Sequence, residues 1–444
     1  MSPIRRILHV VGWTALAYFA VPVVAPAGLV PGLDAVAAEE TAPERKTRRV
    51  PTISERTYKK LSEAQVAFDA KDVKTAISIL DGMADDRGLN GNELGQIHNM
   101  YAYGYFSLED YDKAIFHYEK VVAQGEAIPE GLEVGTIYSL AQLYFVTEKF
   151  QKALDYMRLW ISKANNPGAD PHIFMGQVYY QMKDFPNAIK QIEKGMAIAR
   201  ERGQAIKENW WQLLRYLYFE NENWPKVIEI LEILVRDFPK REYWLQLAGV
   251  YGQEGQESKQ VLAMEAAHAG GFLTNESDCT TYSGLLMQAD VPYRAAKWLE
   301  KCMKDGVVER SAKNLQMLGS AQQVAQDVDK AIPVLEEAAK KSDDGDIYAR
   351  LAQLRLEKDQ YKECVTDADQ ALRKGGLRKP ANTHIVKGMC LFNADRLNDA
   401  RAAFSRASEL SRGADDASNQ RMAQQWIAYI DSEKLRREQL AKAM

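Results

Sequence analysis

From Ile137 to Trp160 the sequence reads IYSLAQLYFVTEKFQKALDYMRLW, and its apolar positions fall into two runs at helical spacing. Ile137, Leu140, Ala141 and Tyr144 form the first run, and Phe150, Ala153, Leu154, Met157 and Trp160 form the second, with polar Thr147-Glu148-Lys149 between them. Residues three and four apart share one face of a helix, so the stretch predicts two short antiparallel helices joined by a tight turn. Packing the pair puts Ala141 and Ala153 where the backbones come closest, while Leu140, Tyr144 and Trp160 fill the space on either side.

The same arrangement recurs along the chain. A small residue opening a second helix is found at Ala76, Ala114, Ala153, Ala188, Val227, Gln260, Ala296, Ala331, Cys364 and Ala400, with neighbours 33 to 39 residues apart. Twelve residues earlier in each unit lie Ala64, Ala102, Ala141, Gly176, Arg215, Ala248, Gly284, Gly319, Ala352 and Gly388. Arg215 breaks the small-residue rule, Gln260 weakens the sixth unit, and the seventh rests on Tyr293-Arg294-Ala295-Ala296. Asp110, Asp184, Asn223 and Arg396 stand as polar capping candidates before second helices, and Pro186 and Pro225 then fall in first turns, where proline is tolerated. Pro167, Pro171, Pro239, Gly270-Gly271 and Gly375-Gly376 punctuate the joins between units, and no strand pattern is present.

This layout resembles the tetratricopeptide (TPR) family. The resemblance implies an all-α fold, a TPR superhelical solenoid of about ten helical hairpins over residues 53–412, followed by a C-terminal capping helix within 413–444. That last helix is expected from about Ala417 to Ala441, with Met422, Trp426 and Tyr429 on its apolar face and a charged end, KLRREQ.

The N-terminus changes the picture from a bare solenoid to an exported one. Arg5 and Arg6 precede a charge-free run from Ile7 to Leu33, and Ala35-Val36-Ala37-Ala38 then meets Glu39-Glu40. Residues 1–38 read as a secretory signal cleaved after Ala37 or Ala38, or else as an uncleaved anchor interrupted by Pro22 and Pro26. Either reading sends the body of the protein to a periplasm. Residues 39–52, EETAPERKTRRVPT, read as a flexible linker whose Arg45, Lys46, Arg48 and Arg49 either are simply solvated or touch an inner membrane. With 46% hydrophobic and 27% charged residues among 444, the chain is an ordinary folded one, and a net charge of -4 argues against a nucleic-acid partner.

Candidate chemistry is sparse. Besides His9, the histidines are His98, His117, His172, His268 and His384, with no HExxH, no GxSxG, no phosphate loop and no CxxC, so catalytic residues, cofactor and metal are all expected to be none. The four cysteines carry a sharper expectation in an oxidising compartment. Cys279 starts the first helix of the seventh hairpin and Cys302 ends its second; Cys364 opens the second helix of the ninth, and Cys390 lies late in the first helix of the tenth. Antiparallel packing levels each pair, predicting disulfides Cys279–Cys302 and Cys364–Cys390, each closing some 25 residues for about 3 kcal/mol. The alternative is four buried thiols serving as small core residues.

On the expected concave face, the position after the small residue reads Gln65, Tyr103, Gln142, Gln177 and Tyr216, with Gln353 later, and three residues on come Phe68, Phe106, Phe145, Tyr180 and Phe219. Amides bond a peptide backbone and rings receive prolines or apolar side chains, so this stripe suits an extended protein segment. Packing against neighbouring helices accounts for the rings equally well.

Two segments go beyond the general repeat. Lys207-Glu208-Asn209-Trp210-Trp211-Gln212-Leu213-Leu214-Arg215, and Phe238-Pro239-Lys240-Arg241-Glu242-Tyr243-Trp244-Leu245-Gln246-Leu247 running on to Tyr251-Gly252, resemble signatures of the periplasmic TPR proteins associated with TonB systems in gammaproteobacteria. Met389 and Phe392-Asn393 fit the same pattern. The resemblance implies a non-enzymatic scaffold beside TonB, ExbB and ExbD in outer-membrane uptake of iron-siderophore complexes. Arg215 then serves a specific ion pair or partner contact, or else a local packing adjustment. A TPR adaptor in envelope or outer-membrane assembly is the alternative role, and a peptidoglycan or peptide hydrolase is disfavoured by the missing nucleophile and metal sets.

Overall fold

The structure, a computed structural model, describes residues 48–443 apart from 85, 87, 414 and 415. The expected signal segment and residues 39–47 of the expected linker lie outside the described residues.

Contacts divide the chain into two compact units meeting between Phe238 and Pro239. The first holds five hairpins: α1 (Glu55–Asp69) with α2 (Val73–Ala84), α3 (Gly91–Ser107) with α4 (Tyr111–Val122), α5 (Glu130–Val146) with α6 (Phe150–Lys163), α7 (Asp170–Gln181) with α8 (Phe185–Glu201), and α9 (Glu208–Glu220) with α10 (Trp224–Asp237). The second holds five more: α11 (Arg241–Gln253) with α12 (Glu257–Ala269), α13 (Glu276–Gln288) with α14 (Pro292–Lys304), α15 (Ala312–Val324) with α16 (Val328–Lys341), α17 (Asp346–Glu357) with α18 (Tyr361–Lys374), and α19 (Pro380–Asn393) with α20 (Leu397–Gly413), followed by α21 (Ala417–Ala443). No strand occurs among the described residues. The fold is the all-α helical repeat expected from the periodicity.

Each hairpin closes on its small residues. Ala64, Ala76, Ala102, Ala114, Ala141, Ala153, Ala188, Ala331, Ala352 and Ala400 are all 0% exposed. A Cβ placed on Gly176 would come within 2.5 Å of Ile192, and one on Gly319 equally close to Leu335, so these crossings admit no side chain. The two exceptions are handled differently. Gln260 folds its amide over Gly252, one turn beyond Ala248, so the room has moved to the opposite helix. Arg215 is simply buried, at 8% exposure.

The hairpin turns share one geometry. Lys71, Glu109, Glu148, Lys183, Glu222, Gly255, Asp290, Gln326, Asp359 and Asp395 all take left-handed φ values between 54° and 69°. The next residue donates its N–H five residues back, as Lys149 does to the Tyr144 carbonyl at 2.8 Å and Asp184 to that of Tyr179 at 2.9 Å. That closes the first helix in a Schellman motif. In several hairpins the same residue also caps the second helix: Asp110, Asp184 and Asn223 each accept from the backbone N–H three residues on, whereas Lys149, Gln256, Val291, Asp327 and Gln360 make no such bond. Pro186 and Pro225 sit in first turns as expected. Arg396 departs from the expectation because a guanidinium has no acceptor; it pairs with Asp399 at 2.6 Å instead.

Residues 48–52, expected within the linker, lie against the second and third hairpins. Asn92 and Asn90 donate side-chain N–H groups to the carbonyls of Pro51 and Thr52 at 2.8 and 2.9 Å. Arg48 Nη1 reaches Glu133 at 2.7 Å and the Ile128 carbonyl at 3.3 Å. In α21, the residues packed on the last hairpin are Ala423 and Ile430, with Trp426 stacked 5.3 Å from Phe404. Tyr429, expected on that face, meets Phe392 of the last hairpin at 5.6 Å while staying 54% exposed, and Met422, also expected there, is 38% exposed.

The shared turn geometry yields a test. A β-branched residue is poorly accommodated at positive φ, so Glu148→Val should cost about 1–3 kcal/mol, whereas Glu148→Gly should not destabilise. Urea midpoints of the two variants check this, and equal stability of valine and glycine would refute it.

Candidate functional site

Polar groups in the first turns tie successive hairpins together. Glu93 accepts from the N–H groups of Asn90 and Ser54 at 2.9 Å each and from the Ser54 hydroxyl at 2.7 Å. Burial works against its charge, yet these donors hold its pKa down to about 2. Glu133 is placed likewise: burial opposes its charge, but Lys163 at 2.8 Å and Arg48 keep its pKa below the usual carboxylate range. In the second unit Asp278, 4% exposed, receives both Nε and Nη2 of Arg241. A second set of ties runs through tyrosine hydroxyls. Tyr144 donates to Glu119 at 2.6 Å and Tyr218 to Glu193 at 2.6 Å, while Arg158 donates to Tyr179 at 2.8 Å.

First helices of neighbouring hairpins touch, α1 with α3 and α17 with α19, in a way second helices do not match. The first helices therefore line the inner side of each stack. In the first unit the expected stripe divides into two kinds of residue. Phe68 and Gln142 are buried, at 6% and 3% exposure. Phe106, Phe145, Tyr180 and Phe219 each lie on the aromatic residue opening their own second helix: Tyr111 at 6.0 Å, Phe150 at 5.9 Å, Phe185 at 6.3 Å and Trp224 at 5.3 Å. One ring face is thus used in closing the hairpin, and partial exposure leaves the remainder open. Tyr103 meets Phe68 edge-on at 5.2 Å, and Tyr180 meets Tyr216 edge-on at 5.6 Å, carrying the stripe from one hairpin to the next. Burial first, then Tyr180 and Glu220, raise the Tyr216 pKa, so its hydroxyl stays a donor. Gln65 Nε2 donates to Asp69 at 2.8 Å while its carbonyl oxygen has no partner. Gln177 is half-buried, and Gln353, in the second unit, is exposed.

In the second unit an open groove of about 770 Å³ runs across α15, α17 and α19 and includes Gln323 and Gln353 of the same register. Gln316, Gln323, Arg350, Gln353, Lys379 and Asn382 face it. A second cavity, about 630 Å³, lies among His268, Tyr282 and Trp298, with the Tyr282 hydroxyl unpartnered.

All four cysteines are paired. Cys279 and Cys302 are joined with Cα atoms 6.5 Å apart, and Cys364 and Cys390 with Cα atoms 6.2 Å apart. Among the described residues, no group of three or more His, Cys, Asp and Glu side chains is arranged for a metal.

Two features escaped the sequence reading. His98 and His117, nineteen residues apart on facing helices, bring their Nδ1 atoms to 3.0 Å. Their rings join a stack with Tyr101, 4.5 Å from His117, and Tyr105. Burial and then Lys120 lower the pKa of His98; burial and then His98 push that of His117 down to about 4, against the opposing pull of Asp81. A search for one-helix spacings could not find this pair. The other is the inter-hairpin tyrosine, whose signal was available: Tyr105, Tyr144, Tyr179, Tyr218 and Tyr251 all stand three residues after the first-helix small position.

Residues 107–195 match the family model described as anaphase-promoting complex, cyclosome, subunit 3. No curated protein matches the chain. Among solved structures, the chain is similar to MamA at 16% identity, covering 38% of this chain and 96% of that one, with a TM-score of 0.33. A tetratricopeptide repeat protein from Parabacteroides merdae is 13% identical over 68% of this chain and 99% of its own, with a TM-score of 0.34. The Cut9–Hcn1 hetero-tetramer structure is 12% identical over 84% and 90%, with a TM-score of 0.30. The segment matched by the family model runs from the end of α3 into α8, so it falls within the helical-hairpin repeat of the first unit.

Two outcomes follow from this geometry. Because both histidine pKa values are depressed in the folded state, their contribution is complete above the unfolded value of 6.5 and is lost as pH falls toward 4. The urea midpoint should drop between pH 7 and 5, and the H98Q/H117Q double variant should drop less; identical losses would refute the linkage. Peptide mapping without reductant should recover the 279–302 and 364–390 cross-links, and four free thiols would rule them out.

Proposed function

We propose that this chain is an exported, non-enzymatic scaffold working in the periplasm, with possible inner-membrane association through its N-terminus, as an accessory of a TonB, ExbB and ExbD system for outer-membrane uptake of iron-siderophore complexes. The observation that carries this reading is the pair of signature segments at 207–215 and 238–252. Trp210, Trp211, Tyr243, Leu247 and Tyr251 within them are buried. The resemblance is therefore one of core packing, and it leaves the contact surface to be found elsewhere. Support for the scaffold role comes from the inner faces, where half-open rings and amides follow one another at the repeat spacing in position to hold an extended segment. The export signal expected of residues 1–38 and the two cysteine pairs agree with an oxidising compartment.

The test is crosslinking in iron-starved cells followed by mass spectrometry of what the tagged protein retains. TonB, ExbB or ExbD should be recovered, and a Y103A/Y216A double variant should retain at least several-fold less of them. Recovery of assembly factors or cell-wall enzymes alone would overturn the transport role in favour of an envelope adaptor.

A further inference from the structure

The cavity of about 630 Å³ in the second unit is bounded by α12, α13 and α14. Because α12 and α14 are second helices, it lies away from the inner side of the stack. Its floor is aromatic. Trp298 is half-buried, with the His268 ring at 4.1 Å and the Tyr282 ring edge-on at 5.8 Å. Its rim is basic. Arg294, Lys297, Lys301 and Lys304 recur at three- and four-residue spacing along one exposed face of α14. Glu265 holds Arg294 at 2.6 Å and Asp305 holds Lys301, while Glu300 is the one acid of the lining itself, so the cluster keeps a net positive charge.

The floor is fixed in advance. Trp298 Nε1 donates to the Cys279 carbonyl at 3.2 Å, the Ser283 hydroxyl donates to the Ala295 carbonyl at 3.2 Å, and the Cys279–Cys302 disulfide joins the same two helices. With α13 and α14 tied in three places, a ring settling against Trp298 costs little ordering of the protein. One polar group there is unused. Tyr282 is 1% exposed and its hydroxyl has no partner. The charges of Glu265 and Arg294 both act on that hydroxyl, which places it toward the basic rim. Burial raises its pKa, so it remains a donor.

An indole face receives a planar ring, a positive rim attracts an anion, and a buried O–H offers a hydrogen bond to an oxygen. The volume falls within the range of small-molecule sites. We propose that this cavity binds a small aromatic carboxylate. The ring lies against Trp298 and His268, and the carboxylate faces Lys297 and Lys301, with the Tyr282 hydroxyl as a further donor. The site goes beyond the scaffold reading and does not rest on it, since it is formed mainly by a second helix and takes a small molecule instead of a protein segment.

The experiment is calorimetric titration of the full exported protein with three probes: 1-naphthoate, its neutral analogue 1-naphthamide, and the saturated acid decahydronaphthalene-1-carboxylate. Naphthoate should bind at least tenfold tighter than either control. K297Q/K301Q, which changes two exposed side chains, should abolish the advantage over the amide and keep the advantage over the saturated acid. W298L should do the reverse. Should W298L fail to fold, H268A, at the exposed edge of the cavity, should reduce the advantage over the saturated acid in its place. No binding of naphthoate, equal binding of naphthoate and either control, or preferences that these variants leave untouched would overturn the site. TonB-system recovery in cells is a separate readout, so its failure leaves this cavity standing.

Discussion

Two helix backbones can cross closely only where neither carries a large side chain, and that constraint organises every hairpin of this protein. The small residue sits at the crossing, the large apolar ones are displaced to either side, and the spacing between crossings sets the length of the repeat. Where the sequence breaks the rule, the space is recovered nearby. Gln260 occupies a position that is alanine in most other hairpins, and Gly252 on the facing helix supplies the missing room. The constraint is therefore on the sum of two facing positions rather than on either alone, which is why a search for single small residues underrates the sixth hairpin.

The turns show how few residues are needed to fix such a fold. One left-handed residue ends the first helix, and its successor finishes that helix as a donor and, at Asp110, Asp184 and Asn223, also begins the next as a cap. Nine of the ten left-handed positions are filled by Lys, Glu, Asp or Gln rather than glycine. Solvent exposure suits these polar side chains, and the hydrogen bonds of the two helix ends hold the conformation. Glycine-based punctuation would consequently have found the joins between hairpins and missed the turns within them.

Hairpin number and phase were legible because they depend on local periodicity, which a sequence displays directly. The cysteine partners were legible for the same reason, since antiparallel packing converts position along one helix into height on the next. The histidine pair and the ring cluster of His268, Tyr282 and Trp298 were not. His98 and His117 meet because two helices of known phase also have a definite rotation about their axes, and the three rings meet because α12, α13 and α14 do. The aromatic stripe falls between these cases: its positions were readable, but the share of each ring spent on closing its own hairpin depends on contacts such as Phe145 with Phe150.

Both disulfides lie in the second unit, one spanning a single hairpin and the other linking the ninth hairpin to the tenth. The five hairpins before Pro239 contain no cysteine at all. In a stack whose members contact mainly their neighbours, unfolding proceeds unit by unit from whichever end is loaded. A pull applied through the N-terminus would thus draw out the cysteine-free hairpins to their full length, whereas residues 279–302 and 364–390 stay closed as long as their disulfides hold. Under tension the second unit therefore yields less length than its residue count would allow, by the two closed loops.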